Sequence, residues 1–293
     1  MDLPIFYKEM LLKQYGENTL KSIEEGLSKK RAVTLRINTI KTKKDEVIKA
    51  LKNEKIEFKE VTWYEDAFII LNASEEKLQN LSIYEEGKVY LQSLSSMIPP
   101  LILNPKPKEN ILDMCSAPGG KTLEMVCLSE NKAYITAVEK NKIRGEKLKY
   151  NLKKQQINTV NVMIEDARNL SDYLKFDKIL LDAPCSGSGT DNVFKNNFTK
   201  ELVEKSVKTQ EVLLKKALRI LKSGGEIIYS TCSILEEENE NVIEKLLSKK
   251  NCKLEQITIS DNIKTLPSKI KQTVTIAPNE FFEGFFVAKI IKD

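Results

Sequence analysis

From residue 110 onward, short apolar runs alternate with longer amphipathic stretches. That alternation predicts an α/β fold, a doubly wound parallel sheet with helices on both faces. The runs NILDMC, YITAVEK, VNVMIED, DKILLDA, EIIYSTC, KLEQITI and GFFVAKI read as seven strands. Between them, apolar positions at helical spacing pick out KIRGEKLKYNLKKQQ, TKELVEKSVKTQEVLLKKALRIL and EEENENVIEKLLSKK as helices. No convincing helix joins the last two strands, which leaves the final one free to run antiparallel. Right-handed crossovers build the rest.

The first part of the chain has a different rhythm. Residues 1–28 carry Leu11, Leu12, Tyr15, Leu20, Ile23 and Leu27 at helix-like spacing. AVTLRINTI then alternates like a strand, KKDEVIKALKNE reads as a helix, and EFKEVTWYEDAFIIL reads as two strands about an acidic turn. Pro99, Pro100, Pro105 and Pro107 mark a junction. The expected organisation is a helical segment over 1–28, a small α+β domain over 29–98 and a larger α/β domain over 99–293.

Composition narrows the chemistry. The 293 residues include no histidine, which removes the commonest general base and the commonest metal ligand together. Five cysteines without a CxxC pair argue for reduced thiols rather than disulfides or zinc, so a cytoplasmic protein without a metal is expected. The opening MDLPIFYKEM is a poor secretory signal, and no apolar run is long enough for a membrane span. A net charge of +5 permits nucleic-acid binding without implying it. The basic stretch Lys140 to Lys154, taken on charge alone, reads first as a solvated helix face.

Strand ends carry the chemistry-bearing residues. The first strand of the large domain runs into DMCSAPGGKT and a helix, placing Gly119 and Gly120 at a carboxyl edge where open α/β sheets bind ligands. The spacing is neither a GxGxxG fingerprint nor a phosphate-binding P-loop, which argues against hydride and phosphoryl transfer. The second strand ends at Glu139 and the third at Asp166. Together with the glycine turn these carboxylates suit a nucleoside-bearing ligand, although each alone could cap a helix. The fourth strand ends in LLDAPCSGSGT and the fifth in IIYSTCS. If those strands are neighbours their tips lie about 5 Å apart, and Asp182, Cys185 and Cys232 converge. Cys115, Cys127 and Cys252, taken singly, read as small buried residues.

DMCSAPGGKT, LLDAPCSGSGT and YSTCS together resemble the RNA cytosine-C5 methyltransferases of the Sun and NOP type, including the bacterial ribosomal-RNA methyltransferase B group. TLRINT, EEGKVYLQSLSSMIPP, NKIRGEKL and GFFVAKI fit the same family, so the resemblance covers nearly the whole chain. It implies a Rossmann-like methyltransferase sheet with an N-terminal RNA-contacting domain of RRM or ferredoxin-like type. It implies Cys232 as the nucleophile and Cys185 as the group that assists product release. A thiolate must add to carbon 6 before carbon 5 of cytosine can take a methyl group, and a base must then remove the carbon-5 proton. By resemblance Asp182 holds the cytosine amidine edge. S-adenosylmethionine lies against Cys115, Ser116, Ala117, Pro118, Gly119, Gly120 and Lys121, with Glu139 on the ribose, Asp166 near the adenine, Arg144 at the nucleoside end and Asp182 also lining the cofactor site. A thiol pKa of roughly 8.5 calls for a cation near Cys232, for which Lys121 is the candidate.

The partner expected is RNA, ribosomal rather than transfer RNA, bound by a monomer. Lys29, Lys30, Arg31 and Arg36 are candidate contacts. Two departures stand out: Ser116 where the family often has alanine, and TDNVFKNNF in the loop after Cys185. An amino-group methyltransferase is disfavoured because Asp-Ala-Pro-Cys stands where such enzymes carry an Asn/Asp-Pro-Pro-aromatic motif. A DNA cytosine enzyme is disfavoured by the Thr-Cys pair. A silent RNA-binding assembly factor would not need Asp182, Cys185 and Cys232 together.

Overall fold

The computed structural model describes residues 2–248 and 251–293; Lys249 and Lys250, at the end of the third helix expected above, and Met1 lie outside the described residues. In chain order the elements are α1 (Ile5–Ser28), β1 (Val33–Ile37), α2 (Lys44–Asn53), β2 (Phe58–Glu60), β3 (Ala67–Ile70), α3 (Glu75–Gln79), α4 (Ser82–Glu85), β4 (Val89–Leu91), α5 (Leu94–Leu103), β5 (Asn110–Asp113) and α6 (Gly120–Leu128). There follow β6 (Tyr134–Val138), α7 (Lys142–Lys154), β7 (Asn161–Met163), β8 (Phe176–Asp182), α8 (Lys200–Ile220), β9 (Leu221–Thr231), α9 (Glu240–Leu247), β10 (Cys252–Glu255), β11 (Thr265–Leu266), β12 (Val274–Ile276) and β13 (Phe285–Lys292). The chain packs as two compact units, one of Ala32–Glu165 and one that joins Met1–Arg31 to Asp166–Asp293.

In the unit Ala32–Glu165, β1 lies between β3 and β4, antiparallel to both, and β2 extends the sheet beyond β3. Strand β4 is a three-residue piece of a segment in which the alternation predicts no strand. One face of this sheet is closed by α2, whose Val47 and Leu51 pack with Leu35, Ile37, Phe68 and Ile70. Each such buried side chain contributes about 1.5–3 kcal/mol. The same unit holds β5, β6 and β7, paired parallel. Pro99 and Pro100, expected at a junction, lie inside α5. The carbonyl of Ser96, which has no N–H partner at Pro100, accepts instead from Gln92 Nε2 at 3.3 Å.

The alternation of β1 turns Arg36 away from α2, and the residue is only 1% exposed. Its guanidinium donates to Gln92 Oε1, the Ile37 carbonyl and Cys127 Sγ, with Glu124 4.0 Å away. Arg36 therefore anchors the interior of this unit and is not a surface contact for RNA. Glu124 is fully buried, and burial lifts its carboxyl from the ordinary 4.5 to about 8, against the pull of Arg36. The folded chain then holds a proton that the unfolded chain has released, so stability falls as pH rises from about 4.5 towards 8. Glu124→Gln is expected to flatten that fall by about 1 kcal/mol or more, read from denaturant midpoints at both ends of the window; equal slopes in the two proteins would contradict it.

The other unit is built on a sheet in the order β11-β12-β13-β9-β8, with β10 pairing the far end of β13. Strands β8 and β9 are parallel, while β13 runs antiparallel to β9, as the missing crossover helix allows. Among the described residues nine strands follow residue 110 rather than seven. The additions are β11 and β12, two and three residues long, too short to alternate visibly. Helix α1 breaks at Gly16, where φ is 75°, and its two halves place Tyr7, Leu11, Ile23 and Leu27 in one apolar cluster with Phe198, Ile234 and Leu235. Leu12 stays 49% exposed. Thus the N-terminal helix packs with the cysteine-bearing segments rather than standing apart. Among the described residues no helix is long and apolar enough to cross a membrane.

Candidate active site

Strands β8 and β9 leave their sheet at the same level, because Asp182 is in register with Ser230 and Ala183 N–H bonds the Ser230 carbonyl at 2.8 Å. The turns that follow bring Cys185 Sγ and Cys232 Sγ to 2.8 Å from each other, well beyond a disulfide bond of about 2.0 Å. Both thiols are half-buried and free. Asp182, on the same edge, accepts a hydrogen bond from Ser230 Oγ at 2.8 Å, which fixes its carboxylate. The neighbouring Cys232 sulfur, burial and the charges of Glu238 and Asp182 together hold the Cys185 thiol well above its ordinary range.

The glycine turn belongs to the unit Ala32–Glu165. Strand β5 ends at Asp113, Cys115 is half-buried and Ser116 is buried, with Ser116 N and Oγ both donating to the Val138 carbonyl at 3.0 Å. This pair of bonds gives the hydroxyl of Ser116 a structural use that alanine would lack. Gly119 adopts φ 109°, and a Cβ there would come within 2.7 Å of Leu148 Cδ1. Only glycine suits that backbone and that approach. Helix α6 starts at Gly120, so its N-terminus opens at the carboxyl end of β5. Glu139, just past β6, is buried; its Oε1 accepts from Asn141 N at 2.8 Å and its Oε2 lies 3.7 Å from Arg144. Arg144 also donates to the Ala117 carbonyl at 2.6 Å, bracing the turn next to Pro118. Lys121 Nζ bonds Ser96 Oγ at 2.8 Å.

Asp166 falls in the unit of the cysteines, where its Oδ1 accepts from Arg168 N at 3.1 Å and so caps a short 3-10 turn, Ala167–Asn169. The capping reading of this residue is thus realised, and its carboxylate also grips Arg168 Nε at 2.9 Å. On the α7 helix Lys142, Arg144, Lys147, Lys149 and Lys153 are exposed, the solvated face that the charge run suggests. Around the thiols the structure adds residues that no strand-end rule would find: Glu238, Gln210, Ser186 and Ser233, all buried.

The profile described as 16S rRNA methyltransferase RsmB/F matches residues 100–291. The chain belongs to this family. The profile of the RsmF/B-like ferredoxin-like domain matches residues 3–75 of the same RsmB/F-family chain; the strand pattern predicts the α/β sheet, and the family resemblance implies the Rossmann-like and ferredoxin-like assignments. The RsmB/F-family chain is 33% identical over 280 residues to ribosomal RNA small subunit methyltransferase F of Shewanella woodyi, covering 90% of this chain and 58% of that one. It is 34% identical over 273 residues to a tRNA (cytosine(49)-C(5))-methyltransferase of Pyrococcus abyssi, covering 88% of each. The crystal structure of NSun6 from Pyrococcus horikoshii with SFG matches it at a TM-score of 0.89 and 25% identity, over 99% of this chain and 98% of that one.

Proposed function

We propose that the chain transfers a methyl group from S-adenosylmethionine to carbon 5 of a cytosine in RNA, with ribosomal RNA as the first substrate to test. The observation that carries this reading is the pair of sulfurs at 2.8 Å with Asp182 on the same strand edge. The residues of the glycine turn fit the cofactor: a glycine-only backbone at Gly119, the N-terminus of α6 and a buried Glu139 are the donor and acceptor set a nucleoside needs. Cys115 to Lys121, Glu139 and Arg144 would hold it, and the family resemblance adds Asp166 and Asp182. Bound there, S-adenosylmethionine supplies an electrophilic methyl group.

The chain's own residues do the rest. Cys232 adds its sulfur to carbon 6, which turns carbon 5 into an enamine-like nucleophile. Until then the Cys185 sulfur lies 2.8 Å from the Cys232 sulfur, close enough for one proton to be shared between them. Once the Cys232 sulfur is bonded to carbon, the largest cause of the raised Cys185 pKa is gone, and Cys185, its own proton released to solvent, takes the carbon-5 proton as a thiolate. Asp182, oriented by Ser230, faces the amidine edge that distinguishes cytosine from uracil. The target base must leave its stack for carbon 6 to be reached.

The Pyrococcus abyssi relative, matched along 88% of both chains, favours transfer RNA as the second reading. Incubation with labelled S-adenosylmethionine and either RNA, followed by bisulfite mapping in cells lacking the protein, separates them. No label transferred to either RNA, with no 5-methylcytosine lost from the cells lacking the protein, would overturn the proposal. Glu139→Ala is expected to raise the cofactor KM about 10- to 100-fold with a smaller change in kcat, the loss of charge-assisted hydrogen bonds; initial rates against cofactor concentration check it.

A further inference from the structure

Glu238 is fully buried between the two cysteine turns, and none of the steps above uses it. Four neutral donors converge on its carboxylate. Ser186 N reaches Oε1 at 2.8 Å and Ser186 Oγ reaches Oε2 at 2.5 Å. Ser233 Oγ reaches Oε2 at 2.7 Å and Gln210 Nε2 reaches Oε1 at 3.2 Å. Ser186 directly follows Cys185, and Ser233 directly follows Cys232. One carboxylate thus grips the residue next to each thiol. Gln210 completes the hold, since the same Nε2 donates to the carbonyl of Pro184, the residue before Cys185. Both of its contacts are acceptors, so the amide cannot be turned over.

Stability alone does not account for this arrangement. Taking a carboxylate out of water costs several kcal/mol, and an apolar side chain of the same volume would fill the space without that cost. The Gln210 carbonyl oxygen is also left buried without a hydrogen bond. What the cluster does supply is a fixed distance between two turns that leave different strands. Ser186 and Ser233 cannot separate without uncovering a buried charge.

We propose that Glu238 is a positioning residue that sets the gap between the Cys185 and Cys232 sulfurs, with Gln210 as its support. The proposal rests on the cytosine-C5 reading for its catalytic consequence, but not for its geometric one. Two measurements on the full chain test it. In Glu238→Gln, which keeps the volume, kcat for methyl transfer falls about 10- to 100-fold while the KM values for RNA and cofactor change less than about twofold. The pH midpoint for alkylation of Cys185, followed by peptide mass with Cys232 intact, moves down by about one unit. The charge of Glu238 and the Cys232 sulfur both raise that thiol, so losing the charge or widening the gap lowers it. A residue that only held the fold would change the alkylation rate at every pH and leave the midpoint in place.

Ser233→Ala, which removes one donor and leaves the carboxylate buried, gives the same two changes at smaller size, and serves if Glu238→Gln does not fold. Wild-type kcat and an unmoved midpoint in either folded variant overturn the proposal. A midpoint shifted in Ser233→Ala, where the Glu238 charge remains, in a protein whose wild type methylates no RNA cytosine would uphold the positioning role and overturn the functional reading instead.

Discussion

Replacing Cys185 with serine is expected to leave the chain covalently joined to its RNA, whereas replacing Cys232 with serine leaves no adduct and lowers methyl transfer about 10⁴-fold or more. The asymmetry follows from the order of events at two sulfurs that lie 2.8 Å apart. Bond formation to carbon 6 needs only the Cys232 sulfur. Release needs removal of the carbon-5 proton, and serine, far less acidic than a thiol, keeps its own proton and so supplies no base for that step. The Cys185→Ser protein therefore stops after methyl transfer with Cys232 still attached. A denaturing gel of each variant incubated with labelled RNA and S-adenosylmethionine reads the result directly. An adduct formed by Cys232→Ser but not by Cys185→Ser would reverse the roles of the two thiols and end this mechanism.

Much of this site is legible in the sequence alone, because open α/β sheets present ligands at strand ends and those ends carry unusual residues here. Asp182 and Cys185 close one apolar run, Thr231 and Cys232 close another, and parallel neighbours must bring such tips together. The positive φ of Gly119 and the burial of Glu139 follow from the same logic. Glu238 escapes it. It sits in LEEENEN, where three successive glutamates look like solvated helix-start charges, and only the fold shows that one of them points inward. Arg36 misleads in the opposite direction. A strand arginine near Lys29 and Lys30 reads as a surface charge, yet β1 is covered on both faces, so period-2 alternation no longer sorts inside from outside. The short strands β4, β11 and β12 are invisible because two or three residues cannot display a period. Pro99 and Pro100 look like breakers, but a side-chain amide from Gln92 supplies a bond that the helix lacks.

Gly189→Ala is the single methyl group expected to do the most damage. A Cβ at this position would lie 2.0 Å from the Gly284 carbonyl oxygen and 2.5 Å from its carbon, and backbone cannot yield as a flexible side chain would. The same residue donates its N–H to the Cys232 carbonyl at 2.9 Å and accepts from Gly284 N at 2.7 Å. Moving Gly189 off Gly284 therefore strains its bond to the nucleophile's own carbonyl and shifts the turn that carries Cys185. Crowding of this kind costs about 3 kcal/mol or more, a fall in Tm of roughly 6–12 °C. A displacement of the thiols near 1 Å costs about 10²-fold in kcat. Gly224→Ala is the matched control. Gly224 has φ +73° and a Cβ there would meet nothing within 4 Å, so alanine brings only backbone strain of about 1–2 kcal/mol and should turn over normally. Thermal melts and initial rates on the two variants separate backbone strain from crowding. If Gly189→Ala melts and turns over like the wild type, the Gly284 carbonyl has room to retreat, and the tight crossing is not what holds the two cysteine turns in place.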